Sequence, residues 1–334
     1  MRVFFVASHI KYTERPDDLI EMDQESYRFV EGVWMHNFFR DEVIRSVINF
    51  KPRDGDFVVV TYPKCGTTWT MFIVHNILTR GKEIFSIGEF GLMCPYLDML
   101  GAAAADNPSR TGPIMTHLPL RVFPPVDNAK YIYVARNPYD CAVSYYHFLK
   151  GLTPKTVTDV SFEKFLHLFL SGKVIYGDYF DHLLAWYERK NDANVLFLTY
   201  ENLKADTREQ VLKIADFLGN EHGAALREDE ELLQKVLKAC SLENMKVCFS
   251  VKPTDRVKKM VEIAKDKPDS CELMKDIPTK SDEMHEGVGF VRKGIVGDWK
   301  NYFTPEQIKE TKAWITRNTQ GSDVMALWND CDLP

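Results

Sequence analysis

Lys64, Gly66, Thr67, Thr68 and Trp69 stand close together in the stretch TYPKCGTTW, and side chains of these types at this spacing can hold an anion. They follow an apolar, β-branched run, DFVVV, so the chain leaves a buried strand through a glycine-bearing loop and enters a helix. Such a turn aims several free backbone N–H groups at one point, where the helix dipole adds partial positive charge. Phosphate and sulfate bind this geometry. Gly66 lets the backbone come close, and Thr67 and Thr68 add hydroxyl donors. Lys64 adds a full charge that can reach the bridging atom of an activated group. Trp69 offers a flat face for a base. The plainer alternative is a turn with an exposed lysine and a core tryptophan, but the clean buried strand ahead of the loop favours the anion site. The loop is not a Walker A motif, which needs G-x-x-x-x-G-K-[ST], because here the lysine precedes the glycine. Nor does a nearby strand end supply an aspartate for magnesium, since KYIYVA runs into Arg136. A magnesium-dependent kinase or NTPase is therefore disfavoured.

Other constellations are weaker alone. Arg136 closes a strand and Ser144 stands two turns along the next helix, so the pair can meet a phosphate at that helix's N-terminal side. A surface arginine and a buried helical serine are the equally simple alternative. Arg292 and Lys293 beside Gly294 could form a phosphate clamp or a solvated basic turn. His117, in PIMTHLPL, follows a short apolar run. A lone histidine is more often structural than catalytic, although its titration range suits proton transfer.

These residues need elements to position them. FVVVTYP reads as a buried parallel strand and TTWTMFIVHNILTRG as a helix ending at Gly81. KYIYVA is a second buried strand, and RNPYDCAVSYYHFLKG a helix with Asn137 as cap and Pro138 at its first position. NVLFLTY is a third strand, followed by one helix over ENLKADTREQVLKIADFLG. Strands alternating with helices give an α/β fold: a central parallel sheet flanked by helices, with ligands at the carboxyl ends of the strands. The charged, turn-rich segment 251–287 reads as an insertion or lid. No internal repeat is present.

The chain has 334 residues, 45% of them hydrophobic, which suffices for one large core, and we expect a single domain over 1–334. A formal net charge of -6 gives no general attraction to nucleic acid or an anionic membrane. Seven cysteines without a C-x-x-C pair point to a reduced, cytoplasmic protein rather than a disulfide framework or zinc site. The apolar patch at the start is thin for a secretory signal, and Glu89, Asp98 and Asp106 interrupt the best apolar region.

The chain resembles the cytosolic sulfotransferases. TYPKCGTTW is similar to their loop for the 5′-phosphosulfate of 3′-phosphoadenosine 5′-phosphosulfate (PAPS), YVARNPYDCAVSYYHF to their second signature, and RKGIVGDWKNYFT to their third. THLPL and LTYENL fall between them in the family's order, and the resemblance runs from roughly Val33 to Phe303. It implies a P-loop-NTPase-like sulfotransferase fold and transfer of a sulfuryl group from PAPS to a hydroxyl or amine of a small molecule, leaving PAP. It implies that Lys64, Cys65, Gly66, Thr67 and Thr68 hold the 5′ side of the nucleotide. It places Arg136, Ser144, Arg292 and Gly294 on the 3′-phosphate, with Lys293 beside them as a further cofactor-binding residue, Trp69, Tyr200 and Phe290 about the base, and Ser241 on the nucleotide. His117 becomes the general base, and Ser144 restrains Lys64 until the acceptor binds. No metal is expected, because a sulfuryl group carries less charge than a phosphoryl group. An acceptor pocket is expected from Phe38, Phe90, His117, Tyr145 and Phe148, suited to a phenol, catecholamine or sterol. Partners on nucleic acid or membrane are not expected.

The sequence also departs from the family. Met115 stands where a lysine usually helps hold the sulfuryl group, and methionine cannot donate that charge. Cys65 replaces a serine, putting an oxidation-sensitive thiol near a helix N-terminus. Cys240 and Leu242 replace a threonine and a phenylalanine beside Ser241. Pro305 and Lys309 alter the dimer motif in KNYFTPEQIK, leaving a homodimer open. A PAPS- or PAP-binding protein with weak catalysis, or a member resembling retinoid dehydratases, are the alternatives these differences raise.

Overall fold

The computed structural model describes residues 26–82, 87–153, 160–249 and 291–334. A hairpin of β1 (Tyr27–Val30) and β2 (Val33–His36) leads into α1 (Asp41–Ile48). The sheet comes next, from β3 (Phe57–Val60), β4 (Ile114–Thr116), β5 (Lys130–Ala135) and β6 (Val195–Thr199). Its order is β4-β3-β5-β6 and every pairing is parallel. Val58, Val59 and Val60 have no exposed surface, as a strand covered on both faces requires.

α2 (Thr67–Leu78), α3 (Ile87–Met93) and α4 (Leu97–Leu100) lie between β3 and β4 in the chain. α5 (Pro138–Leu152), α6 (Phe162–Leu170) and α7 (Tyr179–Tyr187) connect β5 to β6. α8 (Tyr200–Ala205), α9 (Thr207–Leu218), α10 (Asn220–Glu228), α11 (Glu230–Ala239) and α12 (Leu242–Cys248) come after β6, and α13 (Pro305–Asn318) lies near the end. Val58, Val60, Tyr131 and Tyr133 join one apolar cluster, while Ile132, Val134, Leu196 and Leu198 join another with α2, α9 and α11. α2 is buried nearly all round because α9 and α11 pack on it. Among the described residues no helix is long and apolar enough to cross a membrane.

Two local expectations change. The single helix expected after β6 is two, because the Asp206 carboxylate accepts the amide of Glu209 and caps a new helix. The C-cap of α2 is Thr79 rather than Gly81, and Arg80 and Gly81 follow it with φ 54° and 72°, both in the left-handed region. Gly81 donates to the Asn76 carbonyl at 2.7 Å, and Arg80 to that of Ile77 at 3.2 Å. α5 begins as expected, with the Asn137 side chain accepting from the Asp140 amide and Pro138 first in the helix. The segment 251–287 lies outside the described residues.

Candidate active site

The carboxyl ends of the four parallel strands open on one cavity of about 610 Å³. β3 delivers the loop to α2. Gly66 is the N-cap of α2 with φ 107°, and no side chain caps the helix. The first amides of α2 are thus not taken by a cap, which is the state of an anion-binding helix start. Lys64 holds a positive φ of 72°, uncommon for a residue with a Cβ. Its carbonyl accepts from Arg136 Nη1 at 3.2 Å, which ties the loop to the end of β5. Its Nζ lies 4.3 Å from the centre of the Phe148 ring. A cation there is attracted by the ring face. Ser144 lines the same cavity one turn before Phe148.

Arg136 is buried beside the Tyr200 ring, with its guanidinium carbon 4.3 Å from the ring centre. Nη2 donates to the Ile295 carbonyl at 3.3 Å, but among the described residues Nε has no partner. A buried donor left open in a cationic cleft is a strong place for an anion's oxygen. Arg292 and Lys293 also line the cavity, and both pair with Asp298, which is buried behind it, at 2.6 and 2.8 Å. These cations hold the Asp298 carboxyl down at about 2, against the upward push of its burial. Asp140, at the start of α5, accepts from the amides of Gly297 and Trp299, so this basic loop is pinned to the helix that carries Ser144. Gly294 has φ 64° and packs so closely on Leu242 that a Cβ would lie 2.8 Å from its Cδ1. Ser241 caps α12 by accepting the Asn244 amide while also lining the cavity. Trp69 is oriented by a bond from Nε1 to the Cys240 carbonyl at 2.9 Å, and its ring meets Tyr200 edge-on.

His117 comes directly after β4. Its Nδ1 lies 2.7 Å from the Thr61 carbonyl and 3.3 Å from Thr61 Oγ1. A carbonyl only accepts, so Nδ1 carries the proton and Nε2 keeps its lone pair. The backbone on both sides is fixed: the His117 amide donates to Asp98 Oδ2 at 2.8 Å, and His182 Nε2 donates to the His117 carbonyl at 3.1 Å. Burial pushes the His117 imidazole down to about 4; the Thr61 bond opposes that shift and nearby Lys64 adds to it. Met115 precedes it by two, and strand alternation puts both on one side. Met115 lines the cavity, packed with Phe90, Met245 and Phe249.

The cavity brings together Lys64, Gly66, Thr67, Thr68, Trp69, Arg136, Ser144, Tyr200, Ser241, Arg292, Lys293 and Gly294 with Phe38, Phe90, His117, Tyr145 and Phe148. Thr67 has its hydroxyl engaged by Thr61 Oγ1 at 2.6 Å. Cys65 is the exception. Its amide donates back to the Tyr62 carbonyl, and its thiol turns into the core, 3.8 Å from Cys141 Sγ. Burial drives that thiol well up from its ordinary value, contrary to the expected oxidation-sensitive cysteine. Phe290 lies outside the described residues. Sequence reasoning missed Lys204 near Trp69, His147 beside Ser144, and Tyr96, Met99 and Tyr176 at the His117 end, all of which line the cavity. His147 could have been found from its spacing of three from Ser144 on a helix, which puts both on one face. Tyr96 and Tyr176 carry no local signal. Among the described residues no group of three or more metal-ligating side chains forms.

Residues 54–323 match the model of the sulfotransferase domain. Sulfotransferase 1B1 of Mus musculus is 33% identical over 286 residues, covering 82% of this chain and 85% of the relative. An amine sulfotransferase of Oryctolagus cuniculus is 33% identical over 272 residues, covering 80% and 81%. Among solved structures, mouse sulfotransferase SULT7A1 complexed with PAP is 29% identical with a TM-score of 0.66, covering 90% of this chain and 98% of that one. A retinol dehydratase complexed with androsterone and PAP has a TM-score of 0.67, covering 91% and 95%, and at 22% identity the likeness is one of fold.

Proposed function

The chain belongs to the sulfotransferase family, and from that premise we propose that it transfers a sulfuryl group from PAPS to a hydroxyl or amine of a small, largely planar molecule, with His117 as general base. The observation that carries this reading is one cavity joining the lone pair of His117 Nε2 to Lys64 and the uncapped start of α2. PAPS supplies the activated sulfuryl group. The amides of Gly66, Thr67 and Thr68 and the Lys64 ammonium hold the 5′ side of the nucleotide and stabilise charge on the departing phosphate. Trp69 and Tyr200 flank the base. Arg136, with its open Nε, works with Ser144 and the Arg292–Gly294 loop to hold the 3′-phosphate, displacing part of the cations' pairing with Asp298.

At the other end, Phe38, Phe90, Tyr145 and Phe148 give flat apolar walls that exclude water and orient a ring. His117 Nε2 takes the proton of the attacking hydroxyl or amine as the bond to sulfur forms. His182 and Asp98 fix the His117 backbone from behind, and the Thr61 carbonyl orients the imidazole. Lys64, resting over Phe148, stands at the boundary between the acceptor walls and the anion loop.

Transfer of labelled sulfate from PAPS to a panel of phenols, catechols, sterols and amines tests this reading. Labelled product that vanishes in Lys64→Ala and in His117→Ala is expected. Full transfer by His117→Ala would remove His117 as base, and absence of PAP binding would remove the anion site itself.

A further inference from the structure

The acceptor end contains a directional hydrogen-bond chain, whose use rests on the sulfuryl-acceptor reading of that cavity. Asp98 has no exposed surface. Its Oδ1 accepts from Thr116 Oγ1 at 2.6 Å, and its Oδ2 accepts from the His117 amide and from Tyr176 Oη, each at 2.8 Å. An ionised carboxylate only accepts, so Tyr176 gives its one hydroxyl proton to Asp98. The Tyr176 oxygen is also bonded to the Tyr96 hydroxyl. With the Tyr176 proton committed, the proton of that second bond belongs to Tyr96. Tyr96 then has nothing left to donate, and its oxygen can only accept. Burial pushes the Asp98 carboxyl up to about 6, which leaves it ionised at neutral pH.

Both tyrosines line the cavity and both flank His117, with ring centroids 5.4 Å (Tyr96) and 5.3 Å (Tyr176) from the imidazole. Tyr96 is the partly exposed end of the chain, and Tyr176 the buried link. The reacting hydroxyl gives its own hydrogen to His117, so any bond to Tyr96 must come from a second donor on the same molecule. We propose that Tyr96 accepts that second hydrogen, so that the site selects neutral acceptors with two neighbouring hydroxyls, catechols above all, over their mono-ethers. Among the described residues no aspartate or glutamate lines the cavity, so an ammonium group finds no countercharge there, which is why a neutral diol is favoured over an amine.

The test is calorimetric titration of the full chain, with and without saturating PAP, at pH 7.5. The probes are a 4-alkylcatechol and its mono-methyl ether. In the wild type the ether is expected to bind about tenfold more weakly. Tyr96→Phe should make the two ligands equal, because the extra methyl remains but the lost bond no longer counts. Tyr176→Phe frees the Tyr96 proton to donate to the ether oxygen, so the preference should shrink or reverse. That variant also keeps the test decisive should Tyr96→Phe not fold. Equal binding in the wild type overturns the proposal, as does a preference that survives Tyr96→Phe. Transfer of labelled sulfate to a simple phenol, run in parallel, reports on the sulfotransferase reading separately, since the binding difference does not depend on turnover.

Discussion

The carbonyl of Thr61 accepts a hydrogen bond from His117 Nδ1 across 2.7 Å, and this one bond decides which ring nitrogen keeps its lone pair. Because burial also pushes the imidazole down to about 4, the ring is neutral through the neutral pH range, as the proposed role of base requires. The rate profile should show it. The pH dependence of kcat/KM reports the free enzyme, so it should stay level from pH 8 to about 5 and fall with an inflection near 4. An inflection near 6.5 would mean that His117 is solvated, not held as described. His117→Ala should lose on the order of 10²-fold or more in kcat while still binding PAP.

Gly66 is required by geometry as well as by its proposed place at the nucleotide. Its φ is 107°, and an added Cβ would stand 3.0 Å from Cδ2 of the Tyr200 ring. Gly66→Ala must therefore leave the left-handed region or displace the Tyr200 ring. Stability should drop by about 1 kcal/mol, the usual cost of forcing a side chain there. PAP affinity should drop about tenfold or more, since several loop amides move together. Thermal melts and calorimetry measure the two effects, and unchanged affinity would detach the loop from the nucleotide.

Cys65 gives a contrasting expectation. Its thiol lies in the core against Cys141 and the Pro63 carbonyl, away from the cavity. In the native protein at pH 8 iodoacetamide should leave Cys65 unlabelled, while the urea-unfolded chain labels fully; mass spectrometry of the peptide reads the difference. Rapid native labelling would contradict the burial of this loop.

The range of each interaction decides whether the sequence discloses it or hides it. The strand–loop–helix at Val60 to Trp69 is a local pattern, and so is the Asn137–Pro138 helix start, so both are readable. The meeting of Arg136 with Ile295, or of Asp98 with Tyr176, joins residues far apart in the chain and leaves no periodic trace. The split at Asp206 escapes notice because a charged residue in a helical pattern looks like solvent-facing surface, whereas here its side chain takes a backbone amide. Cys65 misleads for a related reason: position beside a helix N-terminus does not say which way a side chain points.

Acid sensitivity should be marked. Burial lowers His75 and His117 to about 4 and His182 to about 3, from an ordinary value of 6.5. A base with a lowered folded pKa is protonated first in the unfolded chain. Its stabilising contribution is complete above pH 6.5 and is lost as the pH falls towards 4. Asp98 and Asp178 act the other way, because burial raises both to about 6 and the folded state holds their protons between 3.8 and 6. Three imidazoles against two carboxyls leave net proton uptake on unfolding. The melting temperature should therefore fall between pH 7 and pH 5. A flat or rising melting temperature over that interval would show that the buried imidazoles are not neutral in the fold.

Met115 tests how far the departure from a lysine limits the chemistry. It stands two residues before His117 and lines the same cavity, so a lysine at this position could extend its ammonium toward the proposed sulfuryl group. It also packs with Phe90, Met245 and Phe249, and a charge left among them would be poorly solvated. These two demands separate in the Met115→Lys variant. A charge-assisted bond made to the transferring group should raise kcat about tenfold. Desolvation of the ammonium in the resting protein should lower the melting temperature, and saturating PAP should restore part of that loss by supplying an anion nearby. If kcat does not rise while PAP still rescues the melting temperature, the ammonium has gone to the nucleotide instead of the sulfuryl group. Turnover would then be limited by something other than the missing lysine, and the case for a weakened enzyme built on Met115 would fall.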